Sequence, residues 1–488
     1  MKEVLNYIDG SFCGGGKKHQ RNSPLDNLPF SLTSYATTQD VDRAVTAARR
    51  AQKVWVKSSL SERTQYISRL AAALRKRYGA AGEATDLKKT IQNEVGKPLP
   101  EADIEVLETA EFIDYFTRVA TEALADEKLE LNSELWPTKT STVVHEPYGV
   151  VAIVKPWNYP LELIAWSLAP ALIAGNAVVI KPSEKSPVTA NIFADAAKEV
   201  GIPGGVLNIV HGDAAVGRKL VGHPFINYVT FTGSKAAGSE VARKCATTFR
   251  PCSLELSGND VALVLKDADP KWVSHGLVWG AFCNAGQVCV GIKGVFVPRT
   301  RLDVYKDEIC HLVDALELGR DVGPIVDQAQ LDSFMSAIGK LRSEGAQFLR
   351  GGQRSNRAGL YVEPTVVTVD KKSIAHREEV FGPLLPIYAY DDEAAVIEEI
   401  ATAEFALGAS IWTTNPSRGY EIAKQLDVGT VWINDVNVAF AEAPWPARRQ
   451  SGLGFSLSKD ALKAFTHPKH ISIDSDIEKP RFWWYPYK

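Results

Sequence analysis

The sequence predicts an α/β protein built from two parallel-sheet blocks, on three observations. From Gly149 onward, short apolar runs at 149–154, 177–180, 206–210 and 228–231 alternate with helix-like stretches such as 189–200. Apolar strands of this length separated by amphipathic helices are βαβ units, which assemble into parallel sheets. The same grammar returns after Glu255, with strand candidates at 261–265, 294–298, 384–389, 409–412 and 430–434 and helix candidates at 391–407 and 416–426. Finally, 488 residues are too many for one core, so two large domains and a small accessory element are expected.

The remaining elements follow in chain order. The first 125 or so residues read as helical. Val41, Ala44, Val45, Ala48 and Trp55 recur at helical spacing behind a cap at Thr38, and Val106, Ala110 and Ile113 repeat the pattern in an acidic helix. Residues 131–146 are polar with alternating β-branched positions, which reads as a hairpin or edge strand outside both cores. The chain ends in Arg481-Phe482-Trp483-Trp484-Tyr485-Pro486-Tyr487. Aromatic density of this kind is expected to dock, on the same chain or on a partner subunit. No internal repeat or low-complexity tract is present.

Composition bounds the function. The chain is 45% hydrophobic and 23% charged, with a net charge of −3, so no field recruits nucleic acid or an acidic membrane. The apolar stretch between Val150 and Ile180 is interrupted by Lys155, Pro156, Asn158, Pro160 and Asn176, too soon to span a bilayer. Met1-Lys2-Glu3-Val4 opens no secretory hydrophobic region, and six cysteines in this length make no disulfide framework. A cytoplasmic protein with free thiols is expected. There is no CxxC, Cys283 and Cys289 lack metal-ligand spacing, and His467 and His470 read as surface histidines, so no metal site is expected.

The chemistry-bearing residues centre on Cys289, which closes the small-residue turn Asn284-Ala285-Gly286-Gln287-Val288-Cys289, thirty-four positions after Glu255. A thiol on such a turn is either an inert buried cysteine or a nucleophile. The glutamate is either solvated or a general base for the water that releases a covalent intermediate. Asn158, within Pro156-Trp157-Asn158-Tyr159-Pro160, is either turn chemistry or a donor to a developing oxyanion, with the Cys289 N–H as second donor. Gly233 and Ser234 lie where a strand gives way to a helix, a place for phosphate, although the GxGxxG fingerprint is absent. Lys181 and Glu184 follow another strand end, either as a solvated loop or as a pair of groups for ribose hydroxyls. Glu379-Val380-Phe381-Gly382-Pro383 is by itself a turn.

In this order and at this spacing, these segments resemble the aldehyde dehydrogenase superfamily. The resemblance runs from Asn6-Tyr7-Ile8-Asp9-Gly10 to Ser451-Gly452-Leu453-Gly454. It passes through Ala165-Trp166-Ser167-Leu168-Ala169-Pro170, Phe231-Thr232-Gly233-Ser234, Tyr361-Val362-Glu363-Pro364-Thr365 and Val431-Trp432-Ile433-Asn434. It implies a Rossmann-like cofactor domain (1–124 and 147–257), a catalytic α/β domain (258–458) and a small bridging β element (125–146 and 459–488) that builds a homodimer or homotetramer. It also implies oxidation of an aldehyde to a carboxylic acid with NAD(P)+. Cys289 would form a thiohemiacetal and then a thioester, Asn158 would hold the oxyanion, and Glu255 would activate the hydrolytic water. On the cofactor side, Glu379 would hold the nicotinamide ribose, with Phe381 near the ring. Lys181 and Glu184 would take the adenosine ribose, Gly233 and Ser234 the pyrophosphate, and Trp157 would add backbone contacts. Because Glu184 repels a 2′-phosphate, NAD is expected over NADP.

The chain departs from the family pattern in places. Pro446 and Ala447 stand where two glycines are usual, Ser257 replaces a glycine, Gly294 an arginine, and Phe455 and Lys459 an arginine and an acid. These departures bear on the subunit interface and on any accessory proton route. Tyr159, Trp166, Phe440 and Trp445 are candidates for the substrate tunnel, with core packing as the alternative for each. Such a tunnel suits a bulky apolar or aromatic aldehyde, while Arg448 and Arg449 keep an acidic substrate in play. A CoA-acylating enzyme would need no base for water, and Glu255 speaks against it. A non-catalytic protein on the same fold would be expected to lose the thiol or the base, and both are present.

Overall fold

The computed structural model describes residues 1–79, 86–478, 480, 481 and 483–486. Val150–Lys155 is the inner strand of an eight-stranded sheet, with Ala177–Pro182 and Leu207–Ile209 on one side and Tyr228–Thr232 and Cys252–Glu255 on the other, all parallel. Every residue of Val150–Lys155 and Ala177–Pro182 is buried, as strands covered by helices on both faces must be. The strand order reverses between Val150–Lys155 and Tyr228–Thr232. In open α/β sheets, that reversal opens a crevice at the strands' carboxyl ends.

A seven-stranded sheet follows the same logic: Thr365–Thr368, Leu384–Tyr390, Gly294–Pro298, Val261–Val264, Gly408–Trp412 and Thr430–Ile433 are parallel, and only the edge strand Gln347–Arg350 runs the other way. The five strands foreseen here match to within two residues, Thr365–Thr368 and Gln347–Arg350 were not foreseen, and the helix expected over 391–407 is Glu393–Thr402, followed by the short strand Phe405–Ala406. Among the described residues, no helix is long and apolar enough to cross a membrane.

Four expectations are corrected. The first 34 residues are not helical. They form the strands Lys2–Val4, Asn6–Ile8, Ser11–Cys13, Lys18–Asn22 and Pro29–Ser34, the second and third joined at Asp9-Gly10, both with positive φ. Asp-Gly between short apolar runs is a hairpin signal, and helices begin only at Thr38–Trp55. The cap of that helix is Thr37, not Thr38. Thr37 Oγ1 accepts from the Asp40 amide at 3.1 Å, and Asp40 Oδ2 accepts from the Thr37 amide at 2.9 Å, a reciprocal capping box. The strand foreseen within 131–146 is Lys139–Pro147, and it is a middle strand rather than an edge, since Thr466–Asp474 pairs along its whole length and Glu127–Leu129 pairs on its other side. Gly452–Leu453, expected in the second block, adds antiparallel to Cys252–Glu255 in the eight-stranded sheet.

The aromatic terminus docks in part on this three-stranded sheet. The Trp483 ring meets Trp136 edge-on at 5.6 Å, Lys139 lies over both rings, and Arg481 pairs with Asp474 at 2.7 Å. Trp484 and Tyr485 are exposed. Phe482 and Tyr487 lie outside the described residues.

Candidate active site

Two cavities meet at Cys289. One, of about 220 Å³, is lined by Trp157, Asn158, Gly233, Ser234, Glu379 and Phe381 together with Cys289. The other, of about 130 Å³, is lined by Glu255, Tyr159, Trp166 and Trp445, again with Cys289. Lys181 and Glu184 line a separate cavity of about 650 Å³, beside Gly217, Arg218, Phe231 and Ala237. The fold thus places the thiol in a wall shared by the residues expected for cofactor and those expected for substrate.

The topology explains the placement. The Val150–Lys155 strand runs out into Trp157 and Asn158, and its neighbour Tyr228–Thr232 runs out into Gly233 and Ser234. Ser234 caps the helix Lys235–Ala246, its Oγ accepting from the Ala237 amide at 3.4 Å. A Cβ on Gly233 would lie 2.8 Å from the Phe231 ring, so the turn is shaped for a residue without one. A helix N-terminus behind such a turn suits a pyrophosphate.

Glu379 supplies a further fit to a nucleotide. Its Oε1 is buried with no partner, and burial pushes its pKa up to about 7, against the pull of Lys293, the Ser257 side chain and the Gly258 backbone. A ribose hydroxyl would satisfy the orphaned oxygen. Trp157 and Phe381 meet edge-on at 5.9 Å beside it. Lys181 Nζ lies 3.5 Å from Glu184 Oε2, and burial lowers the Lys181 pKa.

The turn before Cys289 is bent left-handed for three residues: φ is 48° at Asn284, 55° at Ala285 and 69° at Gly286. Such a run needs outside support. Asn284 Nδ2 donates to Asn158 O at 3.1 Å and Gln287 O at 3.2 Å, Lys293 Nζ donates to Gly286 O at 2.8 Å, and Asn158 Nδ2 donates to Gln287 O at 3.2 Å. The last bond uses one of the two Asn158 amide hydrogens and orients the other. A Cβ on Gly286 would sit 2.1 Å from Gly382 O. Gly286→Ala is therefore expected to cost at least about 1–2 kcal/mol from the left-handed conformation alone and to lower kcat more than tenfold by displacing the thiol. Thermal unfolding and steady-state rates measured together check both.

Burial pushes the Cys289 thiol pKa up, and Glu255, Glu379 and Asp260 push it further, with Lys293 opposing. The resting thiol is therefore held towards its protonated form, and its proton must leave for solvent before the sulfur attacks. Glu255 ends the Cys252–Glu255 strand in register with Thr232. Its Oε2 accepts from Thr232 Oγ1 at 3.5 Å, while its Oε1 is buried and unpartnered. Lys155 Nζ donates to Thr232 Oγ1 at 2.9 Å and Thr230 Oγ1 at 3.2 Å, and burial lowers its pKa to about 8. Lys155, Thr232 and Glu255 thus form a chain.

One expected substrate residue is misplaced. Phe440 is 56% exposed and absent from the cavity lining, where Val438 and Ala439 stand instead. Trp432 Nε1 holds this loop by donating to Val438 O at 2.9 Å, and Phe440 falls on its outer side. Arg448 and Arg449 are also absent from the cavity lining, and both pair with Asp427. Gly294 leaves no room for a side chain, since a Cβ would lie 2.6 Å from Tyr388. Lys459 pairs with Glu122 at 2.5 Å.

Sequence reasoning missed the acids of the cavity that Tyr159, Trp166 and Trp445 line. Glu101, Glu105 and Glu108 line it from the helix Leu99–Ala123, and Glu162 from Glu162–Ile173. The signal was available, because positions i, i+4 and i+7 share a helix face. Lys97 offsets one of them, donating to Glu105 Oε2 at 2.6 Å while lying 3.5 Å from the centre of the Tyr159 ring. Glu108 and Glu162 have no ion-pair partner among the described residues. Burial raises the pKa of both and lifts Glu101 to about 7.

The family model of the aldehyde dehydrogenase family matches residues 13–471. The chain belongs to the aldehyde dehydrogenase family. Members are oxidoreductases that act on aldehydes with NAD(P)+. The chain is 34% identical to aminoaldehyde dehydrogenase 1, peroxisomal, of Pisum sativum, over 95% of this chain and 94% of that one. It is 35% identical to betaine aldehyde dehydrogenase 1 of Rhizobium meliloti, over 98% and 99%. The aldehyde dehydrogenase of Bacillus cereus, solved as its NAD+ complex, superposes with a TM-score of 0.92 at 31% identity, covering 97% of each chain.

Proposed function

We propose that this aldehyde dehydrogenase oxidises short aldehydes carrying an amino or quaternary ammonium group, through a thioester on Cys289. The observation that carries this reading is the cavity beside Cys289: Glu101, Glu105, Glu108 and Glu162, besides Glu255, offset by one lysine, among Tyr159, Trp166, Trp279 and Trp445, with no arginine in the lining. Desolvated carboxylates without counter-ions favour a cationic guest, and aromatic faces add cation–π attraction. The volume of about 130 Å³ is small beside the roughly 300–1,000 Å³ of drug-sized sites, which favours a short substrate. The expected bulky apolar aldehyde fits this acidic lining poorly. The names of the pea and Rhizobium relatives, an aminoaldehyde and a betaine aldehyde dehydrogenase, support the same class.

In this mechanism the Cys289 thiol gives up its proton to solvent water, its sulfur adds to the aldehyde carbon, and the free Asn158 amide hydrogen and the Cys289 N–H hold the resulting oxyanion. The nicotinamide, when bound, supplies the hydride acceptor. Glu255 then takes a proton from water as the water adds to the thioester, releasing the carboxylic acid and the thiol. Glu379 and Phe381 would hold the nicotinamide riboside end and Lys181 with Glu184 the adenosine end. Glu184 favours NAD+, although Arg218, Arg243 and Lys244 line the same cavity and leave NADP+ a usable alternative. We also read the three-stranded sheet, with Leu129, Ile471 and Ile473 exposed, as the subunit contact of a homodimer or homotetramer. A monomer in sedimentation at micromolar concentration would remove that reading.

A panel of neutral, acidic and ω-ammonium aldehydes of equal length tests the substrate class. The cationic members are expected to show the highest kcat/KM. Glu108→Gln should lower that value about 10- to 100-fold, in line with the loss of a roughly 1.5–3 kcal/mol charged interaction. Because Glu101 titrates near 7 and is neutral below it, the cationic preference should grow as pH rises through 7. A preference for acidic or neutral aldehydes at every pH refutes the assignment.

A further inference from the structure

Glu101 belongs to two parts of the molecule at once. Its carboxyl lines the substrate cavity beside Glu105 and Glu108. Its Oε2 also accepts the backbone N–H of Asn284 at 2.7 Å, where the chain enters the left-handed turn that leads to Cys289. The other anchors of that turn are Asn158, Lys293 and Gln287, the last fixed by Val326 N to its Oε1 at 2.9 Å and by its own Nε2 to Pro324 O at 3.3 Å. None of these other anchors has a side chain in the lining of the substrate cavity.

We infer that Glu101 is a positioning residue for Cys289 that couples the charge of the substrate to the geometry of the nucleophile turn. The turn cannot relax into ordinary backbone while Asn284 is held from the substrate side. A hydrogen bond to an ionised carboxylate is shorter and stronger than one to a neutral acceptor. An ammonium group in the cavity, beside Glu108, keeps Glu101 ionised and so tightens its hold on the Asn284 amide. Recognition of the cation then raises the rate of attack as well as affinity. This coupling rests on the cationic-substrate reading, whereas the anchoring of the turn does not.

The test uses the full chain with Glu101→Ala, Glu101→Gln and Glu101→Asp. Folding is followed by thermal unfolding and by NAD+ binding, and the readouts are iodoacetamide alkylation of Cys289 and turnover of a neutral aldehyde and its ω-trimethylammonium counterpart. Glu101→Ala is expected to slow both alkylation and kcat on the neutral aldehyde about tenfold. Glu101→Gln, whose amide oxygen still accepts from Asn284, should recover most of both, yet stay at least tenfold down in kcat/KM on the cationic aldehyde. Should Glu101→Ala not fold, Glu101→Asp keeps the charge but loses the reach, and is expected to slow alkylation while keeping the preference for the cation. Alkylation at the wild-type rate in Glu101→Ala, or Gln no better than Ala, overturns the anchoring role. Wild-type enzyme without cation preference overturns the coupling alone, since the alkylation comparison does not involve substrate.

Discussion

Cys289→Ala is expected to abolish NAD(P)H formation from every aldehyde, a loss on the order of 10⁴-fold or more, because removing a nucleophile leaves only what binding and oxyanion donors contribute. NAD+ should still bind, since the remaining residues of the cofactor cavity are untouched. The structure adds a pH signature. With burial, Glu255, Glu379 and Asp260 all raising the thiol pKa, the thiolate is a minor species at neutral pH, and its share grows with alkalinity. Alkylation of the resting enzyme should therefore accelerate steadily up to at least pH 10, without the plateau near neutrality of an activated cysteine. A plateau near pH 7 would mean that the resting site already holds a thiolate. Residual oxidation in the alanine variant above a hundredth of wild type would remove Cys289 from the nucleophile's role.

The sheets of both blocks were legible because their strands are buried on both faces and read as short, mostly apolar runs, as at Val150–Lys155 and Gly408–Trp412. The N-terminal strands were not. Lys18–Asn22 is mostly exposed and polar, and its pairing with Pro29–Ser34 comes from tertiary context rather than from periodicity. Much of the candidate site could be read as well, because turns at strand ends carry Asn158, Gly233 and Ser234, and the topology brings strand ends together. The acidic wall stayed hidden for a different reason. Glu101, Glu105 and Glu108 look like the solvated face of an acidic helix, and only the packing of Leu99–Ala123 against Glu162–Ile173 turns that face inward. Lys155 was visible only as a break in an apolar run. Its role depends on Thr230 and Thr232, one strand away. Phe440 failed because aromatic character in a loop does not say which side of the loop faces the cavity.

Glu255→Gln is expected to separate the two halves of the reaction. The first half needs the thiol and the oxyanion donors, so one NADH per active site should still form in a burst. Hydrolysis of the thioester needs a group that can take a proton from water, and an amide cannot. Steady-state turnover should fall about 10²- to 10⁴-fold, the usual contribution of a general base. Gln fits the space, and the Thr232 hydroxyl can still donate to its oxygen, so the loss reports chemistry rather than packing. A second readout moves the opposite way. Glu255 is among the charges that raise the Cys289 pKa, so removing its charge lowers that pKa and increases the thiolate share at any given pH. Iodoacetamide should therefore alkylate Glu255→Gln faster than wild type, while turnover collapses. A variant damaged in its fold would lose both, and one that alkylates faster yet turns over normally would show that another group, with Lys155 and Thr232 nearest to hand, supplies the base.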